Sequence, residues 1–193
     1  MRILALGASP ILLKDFEEMN TRHIVIEGTD QCGKTEIAKE LASRLGMTYF
    51  KNRVEWKVFD KDPEKAFGGI VKFGDPMLLD FIEQSGISVV FDRAWPSEWV
   101  YSKAFDRESF TQGIRILDDW HAEHNTCVII CTRENLKVDD LFPEKLDIEK
   151  ITEIDGMYRE FIKWTNCRCY VLSVDDENLD REIEEILAFI NES

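Results

Sequence analysis

Apolar residues along this chain follow two rhythms. Short unbroken apolar runs lie at positions 24–26, 89–91, 128–130 and 170–174, the pattern of strands covered on both faces. A further short strand is expected around 47–50. Elsewhere the apolar spacing widens to three and four residues, at Ile37, Leu41 and Leu45, at Phe110, Ile114 and Leu117, at Ile151, Ile154, Tyr158 and Phe161, and at Leu179, Ile183, Ile186 and Ile190. That spacing gathers apolar side chains into one stripe of a helix. Gly46 just past Leu45 is a helix stop, and Asp75-Pro76 opens another helix through Phe81 and Ile82 that Gly86 closes.

Strand and helix patterns alternating after residue 23 predict an α/β fold: three layers, with a mainly parallel five-stranded sheet flanked by helices. No repeat, low-complexity tract or linker divides it, so residues 23–193 read as one domain. Residues 1–22 read as an N-terminal extension, either an extra strand with a short helix or a loosely held segment. The polar stretch 133–149, with Pro143 and mixed charges, suits either a mobile lid or an ordinary surface connection.

Chemistry enters directly after the first apolar run. Gly28-Thr29-Asp30-Gln31-Cys32-Gly33-Lys34-Thr35 matches the phosphate-binding template G-x-x-x-x-G-K-[ST] between a predicted strand and a predicted helix. Glycines at both ends let the main chain turn its N–H groups inward around a triphosphate, and the helix adds its positive N-terminal end. Lys34 is placed to reach the outer phosphates, and the Thr35 hydroxyl can ligate Mg²⁺. The expected ligands are ATP and Mg²⁺.

Charge and cysteine content narrow the partners. Asp plus Glu number 38 against 24 Lys plus Arg, a net charge of −14, which repels nucleic acid unless a local basic groove overrules it. The partner expected is a small-molecule nucleotide or nucleoside. Five cysteines at 32, 127, 131, 167 and 169 lack zinc-type pairing and read as reduced thiols, which suits a cytoplasmic setting. No apolar stretch reaches the length of a membrane span. Ile3-Leu4-Ala5-Leu6, soon followed by acids, is too short for a secretory core.

The second constellation is Val89-Val90-Phe91-Asp92-Arg93-Ala94-Trp95-Pro96-Ser97-Glu98-Trp99-Val100-Tyr101. It puts an acid and a base at the end of a buried strand, before a helix that Ser97 is expected to cap. Ligands in open α/β sheets bind beyond the carboxyl ends of strands, so Asp92 and Arg93 should face the crevice that holds Lys34. With these residues and Ile26-Glu27-Gly28-Thr29-Asp30, the chain resembles P-loop thymidylate and deoxynucleoside kinases, most of all the small thymidylate-kinase-like proteins of tailed bacteriophages. The resemblance covers roughly residues 23–190 and is specific only in these two segments.

The resemblance implies transfer of the terminal phosphoryl group of ATP in deoxynucleotide metabolism, in the host cytoplasm if the chain is phage-encoded, and a possible homodimer. It makes Lys34, Asp92 and Arg93 catalytic, with Thr35 and Asp92 holding the metal. Glu27 either supports the site through hydrogen bonds or caps the turn. A nucleobase needs an apolar platform, for which Phe73 and Trp95 are the preferred rings.

Two departures bear on the acceptor. The loop carries no arginine, and the stretch after the fourth strand offers only Arg133, Lys137 and Lys145, so the second cation of the reaction is unassigned. After the second strand the chain reads Lys51-Asn52-Arg53-Val54-Glu55-Trp56 in place of the Arg-Glu-Pro of thymidylate kinases. Arg53 with Arg93 would suit a deoxynucleoside monophosphate, whereas Glu55 would suit a nucleoside, whose hydroxyl needs a base. A kinase acting on a hydroxyl in DNA and a non-catalytic nucleotide-binding module are the remaining readings. His121 and His124 are expected on a solvated helix end.

Overall fold

The computed structural model describes residues 22–51, 70–134 and 148–192. Five strands, β1 (His23–Gly28), β2 (Thr48–Lys51), β3 (Val89–Asp92), β4 (Thr126–Thr132) and β5 (Arg168–Ser173), form one parallel sheet in the order β2-β3-β1-β4-β5. Among the described residues six α-helices accompany it: α1 (Lys34–Leu45), α2 (Asp75–Ser85), α3 (Trp95–Ala104), α4 (Thr111–Glu123), α5 (Ile148–Trp164) and α6 (Leu179–Asn191). A π-helical turn, Ile70–Gly74, leads into α2. Gly46 and Gly86 close α1 and α2 in the left-handed conformation, as expected of glycine beyond a helix end. No helix among the described residues is long and apolar enough to cross a membrane.

Strand periodicity divides the core in two. Ile24 and Ile26 of β1, with Cys127, Ile129 and Cys131 of β4, pack on Ile37 and Leu41 of α1 and Ile183, Ile186 and Ile190 of α6. The intervening Val25, Val128 and Ile130 face the other way, onto Trp95 and Trp99 of α3, Ile114 and Leu117 of α4, and Ile154, Tyr158 and Phe161 of α5. Helices on both faces explain why the central strands read as unbroken apolar runs. The run at 170–174 departs from that expectation. Among the described residues β5 pairs only with β4, at the sheet margin, and although Leu172 is buried, Val171 is 44% exposed.

Two local expectations are corrected. Ala94, not Ser97, is the N-cap of α3, and neither caps it with its own side chain; the cap comes from β1, as described below. His121 is not on a solvated helix end. It is fully buried, stacked on Trp95 with ring centroids 3.9 Å apart, and its Nδ1 lies 3.0 Å from Thr126 Oγ1. Most of the expected extension (1–21), the segment carrying Arg53 and Glu55, and residues 135–147 of the lid candidate 133–149 lie outside the described residues.

Candidate phosphate-binding site

β1 ends at Gly28, whose φ of 133° and contact with β4 leave no room for a side chain: an added Cβ would lie 2.1 Å from the carbonyl oxygen of Cys131. The chain then curls through Gln31 (φ 65°) and Gly33 (φ 63°) into the first turn of α1. Thr29 and Cys32 point inward, with Oγ1 and Sγ 3.2 Å apart, while Asp30 and Gln31 are exposed. The loop borders an open cavity of about 230 Å³, lined among others by Gly33, Lys34, Thr35, Lys51, Asp92 and Arg93. The three residues assigned catalysis thus share one cavity, although Lys34 comes from a segment far along the chain from the adjacent Asp92 and Arg93.

Lys34 is buried and donates to the carbonyl of Thr29. Burial, reinforced by the nearby Arg93 guanidinium, lowers its pKa to about 8. An anion in the loop would restore the compensation that water cannot supply.

Asp92, the last residue of β3, is buried, and its Oδ2 accepts from Thr35 Oγ1 at 2.7 Å, Lys51 Nζ at 2.6 Å and Tyr49 OH at 3.0 Å. Lys51 Nζ also donates to Thr35 Oγ1 at 2.8 Å. Burial alone would raise the carboxyl, but hydrogen bonds from Lys51, Thr35 and Tyr49 outweigh it and hold Asp92 below the usual carboxylate range. Sheet register builds this group. Lys51 lies directly beside Asp92 in the β2–β3 ladder, and Tyr49, two residues earlier, shares its face.

Arg93 leaves the strand in the left-handed conformation (φ 70°), with its N–H bonded to the carbonyl of Ile26 at 3.1 Å. Its guanidinium donates to Asp30 Oδ1 at 2.5 Å, Ser97 Oγ at 3.1 Å and Tyr158 OH at 3.3 Å, and lies 3.6 Å from Glu27 Oε2. The turn therefore sends the side chains of 92 and 93 to different partners on one crevice.

Glu27 does not face the cavity. It is fully buried, accepting from the backbone N–H groups of Ala94 (2.8 Å) and Ser97 (3.2 Å), from Ser97 Oγ, and from Tyr158 OH at 2.9 Å. A strand carboxylate thus caps α3 and orients Ser97 and Tyr158, which in turn hold Arg93.

The other candidates scatter. Trp95 is only 2% exposed, stacked on His121, with its indole N–H donated to Asp118 Oδ1 at 3.3 Å; it is a core ring and offers no platform. Phe73 is 63% exposed on the turn before α2, near Lys72. Arg133 points away as well, tied to Glu177 Oε1 at 2.8 Å and the Val174 carbonyl at 3.2 Å. Lys51, Tyr49 and Tyr158 escaped the sequence reading. The signal for Lys51 was its place at the end of the strand beside β3.

A hydroxyl and an ionised carboxylate meeting at the first turn of α1 form a donor set that fits a hard cation such as Mg²⁺. Among the described residues no group of three His, Cys, Asp or Glu could hold a metal by itself, so such an ion would need oxygen ligands from phosphate.

The parallel sheet, the glycine-bounded loop and the strand-end Asp-Arg pair define a P-loop kinase fold. The solved structures with which it superposes include the YorR protein of Bacillus subtilis in complex with phosphorylated GDP, at 20% identity and a TM-score of 0.60 over 87% of this chain and 95% of that one. A deoxyadenosine kinase from M. mycoides with the products dCMP and dCDP bound matches at 21% identity and 0.54 over 89% and 100%. Thymidylate kinase from Candida albicans matches at 12% identity and 0.56 over 88% and 91%. No family model and no curated protein matches the sequence.

Proposed function

We propose that this protein is a nucleotide kinase that transfers the terminal phosphoryl group of ATP, with Mg²⁺, to a deoxynucleoside monophosphate. The observation that carries this reading is the convergence of Lys34, Thr35, Asp92 and Arg93 on one cavity of about 230 Å³. The loop N–H groups and Lys34 would hold the outer phosphates. Thr35 and Asp92 would hold the metal, which when bound neutralises charge on the phosphate oxygens. Arg93, its plane fixed by Asp30, Ser97 and Tyr158, would meet the acceptor phosphate. Transfer of this kind requires mainly alignment and charge stabilisation.

A monophosphate is favoured over a hydroxyl because the cavity's Asp92 is a poor base. One of its oxygens already accepts three hydrogen bonds, and its pKa is held low. An acceptor that is already anionic needs no proton removed. The nucleoside reading rests on Glu55 and on the likeness to a deoxyadenosine kinase, the DNA reading has the net charge of −14 against it, and the binding-module reading rests on low identity to known enzymes.

A coupled ADP-release assay presenting ATP and Mg²⁺ with each deoxynucleoside, each deoxynucleoside monophosphate and a single-stranded oligonucleotide separates the four. Turnover with monophosphates alone is expected. Turnover confined to nucleosides or to the oligonucleotide overturns the acceptor assignment, and none at all overturns the enzymatic one.

A further inference from the structure

Lys51 holds the place between the two groups that suit a divalent cation. Its ammonium lies 2.8 Å from Thr35 Oγ1 and 2.6 Å from Asp92 Oδ2. These contacts do not depend on an accidental side-chain excursion, because residues 51 and 92 are direct neighbours in the parallel ladder and any long side chain at 51 on that face reaches the carboxylate. Tyr49 supports the same oxygen from the same face, so Asp92 keeps that hydrogen bond when Lys51 leaves, even where Thr35 turns to the metal. Asp92 is 1% exposed but the Lys51 side chain 33%: the acceptor is fixed and the cation, on its flexible stem, has somewhere to go.

We infer that Lys51 is a built-in competitor for the divalent cation, its ammonium occupying the Thr35–Asp92 pair until metal with nucleotide displaces it. The inference rests on the nucleotide-kinase reading. Two cations cannot share a hydroxyl and a carboxylate oxygen at hydrogen-bonding distance without strong repulsion, so loading must move the ammonium off the pair. In the metal-free protein the ammonium balances a carboxylate that burial would otherwise penalise. Lys51 thereby weakens metal binding and makes it conditional on phosphate oxygens, which supply both the remaining ligands and a new partner for the released ammonium. Arg93 does not share this role; its guanidinium is engaged by Asp30, Ser97 and Tyr158.

The test is Mn²⁺ titration of the full chain, read by electron paramagnetic resonance of the free ion, in the presence of a non-hydrolysable ATP analogue. Lys51→Met and Lys51→Gln are expected to bind Mn²⁺ about tenfold or more tightly than the parent chain, the scale of removing a unit charge a few ångströms from the site. Lys51→Arg, which keeps the charge, is expected to stay near the parent affinity. Thermal melts establish which variants fold, and either neutral variant suffices. If both unfold, the lysine side-chain NMR signal of the parent protein decides, since Mn²⁺ replaced by Mg²⁺ with analogue must shift the Lys51 resonance. Neutral variants within about twofold of the parent, or an unmoved Lys51 signal, overturn the inference. Analogue binding is measured separately by calorimetry without metal. Failure there for every chain overturns the nucleotide reading itself, and the Lys51 inference with it.

Discussion

The two ends of the central strands both bury polar groups and treat them in opposite ways. At the amino ends, His23 opens β1 and accepts from the N–H of Val89, and His121 meets Thr126 while stacking on Trp95. Burial lowers His23 to about 4, with Arg22 contributing, and drives His121 well below its ordinary value. Both rings are therefore neutral packing. At the carboxyl ends, burial also penalises Asp92, yet Lys51, Thr35 and Tyr49 outweigh it and the carboxylate stays ionised. Desolvation alone produces neutrality; charge survives burial only where partners have been arranged for it. Left-handed residues lead into the strands at the neutral end too, at Asn125, but only the charged end adds Gln31 and Arg93 to a glycine pressed against Cys131.

The largest expected effect breaks the charged end at its centre. Lys34→Ala should lower turnover by about 10²- to 10³-fold, the scale of one lost electrostatic contact to a transition state, with the melting temperature almost unchanged. The coupled assay and a thermal melt check both halves. Glu27→Gln should cost about 3 kcal/mol of stability in urea unfolding, because it removes a fully buried charge beside Arg93 and halves the acceptor capacity facing the N–H groups of Ala94 and Ser97 and the two hydroxyls.

Acid probes the neutral end. A group whose folded pKa is depressed contributes stability that is present above its unfolded value and lost as pH falls. Just below pH 6.5, His23 and His121 should each remove up to about 1.4 kcal/mol per pH unit. Asp75, raised to about 6 by burial and by Glu98, acts with the opposite sign and is already taking up its proton across this range, so between 6.5 and 6 the two histidines outweigh it without being free of it. Urea unfolding across that window should steepen with acid, and His121→Phe should flatten it. Smallest of all, Val171→Thr on the open face of β5 should change stability by no more than about 0.5 kcal/mol in the same unfolding experiment.

Legibility followed locality. The loop and the Asp92-Arg93 pair are contiguous, so residue type and strand-loop-helix context placed them on one cavity without any knowledge of pairing. The Lys51–Asp92 contact depends on β2 lying beside β3 in register, and Tyr158 reaches Glu27 and Arg93 from α5; no local pattern encodes either. Trp95 was misjudged because aromatic content does not tell which side of a helix a ring occupies. His121 carried a usable sign: it continues the stripe of Ile114 and Leu117 at helical spacing, which outweighs its polar type.

The left-handed turn at Arg93 separates what the main chain wants from what the side chain supplies. Glycine at 93 would relax the backbone and delete the guanidinium at once, whereas alanine would keep the strain and lose the cation. Randomising this codon and sorting the library twice should return two different winners: glycine, with asparagine behind it, among the most heat-tolerant clones, and arginine among the most productive. The gap between those rankings measures how much robustness is sacrificed for function at one position.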